Sequence, residues 1–428
     1  MRALRASILH CLADPGEESR DSACEYFEDG LLLVDDGHIV KAGDAAGVES
    51  ELPRDVEIVD YTGKLIVPGL IDCHVHFPQL DIIGSYGAQL LDWLNQYAYP
   101  AEARFADPAY AREVAAVFVD ELLANGTTTA LVFGTVHAHS ADAIFEAAEA
   151  RGMRLIAGKV LMDSNCPEEL RDDAASGYAD SKALIERWHG KGRLGYAITP
   201  RFALTSSAEQ LAAAGRLASE YPDVWIHTHL AENMDEVDEI ARLFPESRSY
   251  LDVYERHHLL RKRTVFAHCL HMDDEDRARM SAGGGAAAFC PTSNLFLGSG
   301  LFNLRAFRNA GIRCGLGTDV GGGTSLSLLR TASEAYKVLH LQEHALPAKR
   351  ALYLATLGAA EALYLDDRIG NFEPGKEADF VVLDFEGSRI TARRTAAAST
   401  IEEKLFALIT LADDRNIAAT YVNGVPIQ

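Results

Sequence analysis

The chain has no excess of positive charge. It carries 40 Lys and Arg against 63 Asp and Glu, a formal net charge of -23. Nonspecific binding to nucleic acid or to an anionic membrane needs a basic face, so neither is expected as a partner. A small neutral substrate remains compatible. Cysteines are few and scattered: Cys11, Cys24, Cys73, Cys166, Cys269, Cys290 and Cys314, an odd number with no Cys-x-x-Cys. Several lie in apolar, strand-like runs, where a reduced, buried thiol is expected, and the expected compartment is the reducing cytoplasm. The N-terminal stretch has no apolar run long enough for a signal peptide, and no span resembles a transmembrane helix. Low-complexity segments and short repeats are absent too. What is left is a soluble globular profile, 48% hydrophobic and 24% charged. At 428 residues it has room for more than one domain.

The two ends share a β-rich texture. Gly30–Val34, the turn Asp35-Asp36-Gly37 and His38–Gly43 read as a hairpin. Ala378–Asp384 reads as a strand, and Ala419–Gln428 as a strand with a turn at Asn423-Gly424. The middle alternates strand and helix. After a first strand ending at His76, strands are expected at Thr127–His137, Arg154–Asp163, Arg193–Phe202, Asp223–Glu232, Thr264–Asp273, Gly285–Asn294 and Arg313–Val320. Helical stretches such as Ser207–Glu220 and Asp235–Leu243 separate them. Eight such units predict a (β/α)8 TIM-like barrel over residues 67–368, with a small β-sandwich domain built from residues 1–66 and 369–428. A doubly wound open sheet predicts fewer strands and a Gly-rich first turn, which is missing. The long segment Phe77–Pro108 after the first strand is placed to cap an active site.

Histidines gather where these strands end. Ile66, Val67, Leu70 and Ile71 supply an apolar run that ends in His74-Val-His76. Residues two apart on a strand face one way, so the two imidazoles aim at one point. The fifth strand ends in His227-Thr-His229-Leu-Ala-Glu232, the sixth in Ala267-His268, and the eighth in Gly317-Thr-Asp319. Imidazoles and a carboxylate from four strand ends predict a metal site. His229 lies nearer its strand end than His227 and is the better ligand; His227 reads as a packed neighbour. Glu232, just past the strand, is placed to move protons. Asp319 could instead cap a helix, the weaker reading. His271 is expected outside the site, the pair His137 and His139 in a structural role or supporting the residues that line it, and His257-His258 at the surface.

Taken together these runs resemble the amidohydrolase superfamily and, within it, the guanine deaminases. The resemblance is carried by Pro68–Gln79, Leu91–Tyr97, Thr199–Phe202, His227–Glu232, Ala267-His268, Ser293-Asn294 and Gly317–Asp319, and it spans nearly the whole chain. Gln79, the Leu-Asp-Trp-Leu stretch and Arg201-Phe202 are what narrow it. It implies a zinc-dependent hydrolase releasing ammonia from guanine to leave xanthine, in purine catabolism. It implies one zinc per chain on His74, His76, His229 and Asp319, with iron(II) the alternative ion. It further implies that Glu232 and His268 shuttle protons, that Asp319 and His268 stabilise the attacking oxygen, and that Gln79, Arg201 and the Phe202 backbone hold the purine. Trp93 falls in the stretch resembling the cap. Two-metal relatives use a bridging lysine at the end of the fourth strand; that strand here ends in Thr199-Pro-Arg-Phe202, and Lys159 is a poor substitute. The other deaminase pattern, His-x-Glu with Pro-Cys-x-x-Cys, is absent. A homodimer is the expected assembly. Arg201→Ala is expected to harm guanine turnover far more than folding, its contact being to the substrate O6 and not to the core. The competing substrate is another aminopurine such as 8-oxoguanine, and the competing class is a metal-free binding protein on the same barrel.

Overall fold

The computed structural model describes residues 1–427 apart from 51, 53–55 and 88. It divides into two compact units, Met1–Ile71 with Glu121–Thr129 and Ser327–Gln428, and Asp72–Asp120 with Ala130–Leu326. Among the described residues, no helix is long and apolar enough to cross a membrane.

The central sheet contains eight strands in chain order, each beside the next: Leu70–His76, Thr127–Phe133, Arg154–Gly158, Leu194–Pro200, Trp225–Leu230, Thr264–His268, Ala286–Phe289 and Arg313–Leu316. Their registered neighbours run parallel. A two-residue strand, Val160–Leu161, pairs separately with the fourth. The ring is tied at its C-terminal end. Asp319 N–H donates to the His74 carbonyl at 2.8 Å, and His76 N–H donates to the Val320 carbonyl at 2.9 Å. The expected (β/α)8 barrel is therefore present, with its first and last strands joined where the histidines lie. Every residue of Leu70–His76 is buried, as expected for a barrel strand covered on both faces.

Most strands stop earlier than the sequence suggests. The second ends at Phe133 rather than His137, the sixth at His268 rather than Asp273, and the seventh at Phe289 rather than Asn294. Beyond these ends the chain leaves the ladder: after the seventh strand it passes directly into the short helix Pro291–Phe296, with proline in its first turn. The segment after the first strand is helical in short pieces: a 3-10 turn at Phe77–Ile82, then Leu90–Trp93, a π-turn over Leu94–Ala98, and Tyr99–Ala103.

The termini form one continuous seven-stranded sheet. Its order is Val425–Pro426, Ile417–Val422, Phe380–Leu383, Glu57–Pro68, Arg2–Cys11, Cys24–Asp35 and His38–Asp44. The hairpin read at Asp36-Gly37 is present, with φ of 44° and 75° at those residues and Asp35 opposite His38. Two left-handed residues match the twist of a two-residue hairpin loop. Leu4, Ile8, Leu32, Ile66, Phe380 and Val382 form the core of this sheet.

Candidate active site

The first strand places His74 and His76 side by side, 0% and 3% exposed. Their Nε2 atoms lie 3.2 Å apart, and His76 Nε2 lies 3.2 Å from His229 Nε2. Asp319 Oδ1 is 3.1 Å from His74 Nε2 and 3.3 Å from His76 Nε2. These four side chains thus face one point. His268 joins the group: one ligand atom each from His74, His229, His268 and Asp319 fall within 4.8 Å of one another.

This geometry fits a single ion. Tetrahedral ligands at about 2.0–2.1 Å from an ion lie roughly 3.3–3.4 Å from one another. The spacings of 3.1–3.3 Å match that edge. Protonation states agree as well. Burial lowers the pKa of His74 and His229, and takes His76 down to about 3. Burial alone would raise Asp319, but the His74 and His76 imidazoles reverse this and hold it well below the carboxylate range. Neutral imidazoles and an ionised carboxylate are the forms that bind metal.

Neighbours behind the cluster fix its ring orientations. The Arg201 carbonyl is 2.7 Å from His229 Nδ1 and can only accept, so Nδ1 carries the proton and Nε2 keeps its lone pair for the cluster. His227 Nε2 is 2.7 Å from His74 Nδ1; His227 supports His74 and does not itself join the cluster. Asp72 accepts from the backbone N–H groups of His74 and Thr318, each at 3.1 Å, and from the Thr318 hydroxyl at 2.5 Å. It thereby fastens the first strand to the turn that carries Asp319. Burial raises the Asp72 pKa to about 6. His268 and Asp319 have positive φ, 70° and 51°, a conformation that costs energy for residues with a Cβ and often marks functional positions.

Glu232 and His268 face each other across the cluster. His268 Nε2 is 3.3 Å from Glu232 Oε2 and 3.7 Å from Asp319 Oδ2, and the Asn294 Oδ1 sits 2.8 Å from its Nδ1. Ser299 Oγ donates to Glu232 Oε1 at 3.3 Å. Burial, and next the Asp319 charge, raise the Glu232 pKa well above the usual range, while the Ser299 bond opposes them.

A cavity opens onto this cluster, lined by Gln79, Trp93, Arg201 and Phe202 together with His76 and Glu232. Every residue expected in the site on sequence grounds therefore lies in the donor cluster or on this wall. Arg201 differs from expectation in one respect. It is 2% exposed and its Nη1 donates to both oxygens of Glu102 at 2.6 and 2.8 Å. Its head group belongs to a buried ion pair, so Arg201→Ala would strand the Glu102 charge and destabilise the fold as well as the pocket.

Glu102, Asp72, Asn294 and Ser299 were not singled out as functional from the sequence. Asp72 had a signal, since it shares a strand face with His74 and His76 by period two. Glu102 had none; it is one of many acidic residues in a helical stretch. Three further histidines make other contacts or face solvent: His139 Nε2 meets the Phe105 carbonyl at 2.7 Å, His271 Nε2 the Ser299 carbonyl at 3.1 Å, and His258 is exposed. Lys159 is buried against Asp172 at 2.5 Å, away from the cluster.

Comparison with known proteins shows the family. The Amidohydrolase family profile matches residues 65–427. Guanine deaminase of Escherichia coli (strain K12) is 51% identical over 427 residues, 99% of this chain and 97% of that protein. The solved structure of E. coli guanine deaminase superimposes with a TM-score of 0.98, covering 100% of this chain and 99% of that one. Guanine deaminase from Bradyrhizobium japonicum gives 0.96 at 38% identity, covering 100% and 99%. The guanine deaminase of C. acetobutylicum, with guanine bound in its active site, gives 0.91 at 29% identity, covering 100% of both chains. The chain belongs to the amidohydrolase family and, within it, to the guanine deaminases.

Proposed function

We infer that this site hydrolyses guanine to xanthine and ammonia. The observation that carries the reading is a buried arginine, Arg201, on the wall of a cavity that opens directly onto the His/Asp cluster. The identity to E. coli guanine deaminase over 99% of the chain supports the same substrate. Ammonia release across a panel of aminopurines and pyrimidines tests it. Guanine should be the best substrate, and adenine should be inert because it has no amine at C2. A panel led by another aminopurine, 8-oxoguanine for example, would move the assignment.

One zinc ion is the proposed cofactor, held by His74, His76, His229 and Asp319, with iron(II) suited to the same donors. When bound, such an ion supplies a Lewis acid that makes water nucleophilic near neutral pH. The protein's own groups account for the rest. Trp93 and Phe202 enclose the ring and exclude bulk water. Gln79 and Arg201 hold the ring by its polar edge; a guanidinium donating in a fixed fork suits a carbonyl such as O6. Glu232, ionised, takes a proton from the attacking water and delivers it to ring N3 as C2 becomes tetrahedral. His268 lies close enough to Glu232 to exchange that proton and to steady the attacking oxygen with Asp319. The proton remaining on the C2 hydroxyl is passed to the C2 amine, the C2–N bond breaks to release ammonia, and the C2 carbonyl of xanthine forms.

Two outcomes follow for single residues. Because Arg201→Ala would leave a buried carboxylate unpaired, Arg201→Lys is the better probe: it keeps a positive charge beside Glu102 and loses the fork. Its kcat/KM on guanine should fall by roughly 2–4 kcal/mol, and much less on a 2-aminopurine lacking O6. Equal losses on both substrates would remove O6 from the Arg201 assignment. Ser299→Ala should move the acid limb of the kcat/KM profile to higher pH. The lost bond favours ionised Glu232, its removal raises that pKa, and the base form then appears only at higher pH. A limb that stays put or moves down would show that another group governs it.

A further inference from the structure

Glu102 is 1% exposed and stands behind the cavity wall at the end of Tyr99–Ala103. Its carboxylate serves two side chains of that wall at once. Arg201 Nη1 donates to both of its oxygens, at 2.6 and 2.8 Å, and Gln79 Nε2 donates to Oε1 at 2.9 Å. An ionised carboxylate can only accept, so it settles which end of the Gln79 amide turns toward it. The other end is settled by the Gly321 N–H, which donates to Gln79 Oε1 at 3.0 Å. Gln79 is thus held with its NH2 group between Glu102 and the cavity, with one N–H uncommitted to Glu102. Arg201, anchored to Glu102 through Nη1, lines the same cavity. A counter-ion for Arg201 alone would not need to bind the neutral Gln79 as well.

We propose that Glu102 is a positioning residue that sets the hydrogen-bond polarity of the purine pocket, turning Gln79 and Arg201 toward the substrate as donors and so selecting a ring edge that carries acceptors over one that carries an amine. The inference rests on the purine reading of the site and adds the reason an oxo-purine is chosen. Neither Gln79 nor Arg201 has to read the ring by itself, since the shared acceptor behind them forbids the flipped amide that would offer a carbonyl to an amine.

The test compares guanine with 2,6-diaminopurine, which keeps the C2 amine but replaces O6 with an amine. Glu102→Gln keeps size and removes the acceptor-only charge; its amide can donate as well as accept, which lets Gln79 turn over. The ratio of kcat/KM values for the two substrates should fall about tenfold or more in Glu102→Gln. Glu102→Asp, which keeps the charge but withdraws it by one methylene, should fall between the two. Metal content and melting temperature are measured on the same preparations. A purely structural role would lower both rates together and leave the ratio unchanged, and that result in either soluble variant overturns the proposal. Guanine turnover by the wild type with an unchanged ratio in the variants sinks this inference alone. A wild type inactive on guanine sinks the purine reading first, and this inference with it.

Discussion

Glu232→Gln is expected to abolish most turnover while leaving the protein folded and metal-bound. The side chain is 3% exposed, with one oxygen bonded by Ser299 and the other facing His268. Glutamine fits the same space and can still accept from Ser299, but it cannot take a proton from water or return one to the ring. General acid–base groups commonly contribute about 10²–10⁴ in rate, so kcat should fall by at least ~10². Stability should move the other way or not at all. Burial and the nearby Asp319 charge disfavour a second carboxylate here, which is why the Glu232 pKa is raised. A neutral amide removes that repulsion, so the melting temperature should hold or rise, as often happens when a functional group is neutralised. Near-normal kcat in a metal-replete variant would assign the proton transfer to another group, with His268 the first to examine.

His74→Ala should lose both metal and activity, and thorough chelation of the wild type should do the same reversibly. Three imidazole nitrogens and a carboxylate oxygen crowd within 3.1–3.3 Å along the linked edges of the cluster. Neutral imidazole lone pairs repel at that spacing unless a cation stands between them, so the ion should stabilise the native state by mass action. The wild-type melting temperature should therefore drop on chelation and recover with zinc. In His74→Ala it should be low and insensitive to chelator, and metal analysis should find far less than one ion per chain. Full activity after verified metal removal would overturn the metal assignment, and with it the zinc proposal.

Much of this site could be read from the sequence because its chemistry follows local periods. His74 and His76 share a strand face by period two, and the apolar run before them marks the strand. Gly317-Thr-Asp319 and His229-Leu-Ala-Glu232 sit where a βα alternation must end, so a barrel places them at one mouth without any knowledge of their distances. The eight-strand alternation and both terminal hairpins were legible for the same reason, since turn residues such as Asp36-Gly37 and Asn423-Gly424 act over two positions.

What the tertiary structure decided are pairings between residues far apart in sequence. Glu102 and Arg201 are 99 positions apart, and nothing near either residue names its partner. Asp72 reaches Thr318 across 246 positions because the first and last strands meet when the ring closes. His227 becomes a support for His74 only when the fifth strand's interior face turns toward the first. Strand ends also differ from the local reading: the seventh strand stops at Phe289, and Pro291–Phe296 beyond it is helical, with proline in the first turn. Composition and period determine which residues can enter a barrel and which can bind a metal; closure of the ring determines which buried charge meets which, and therefore how the pocket is held.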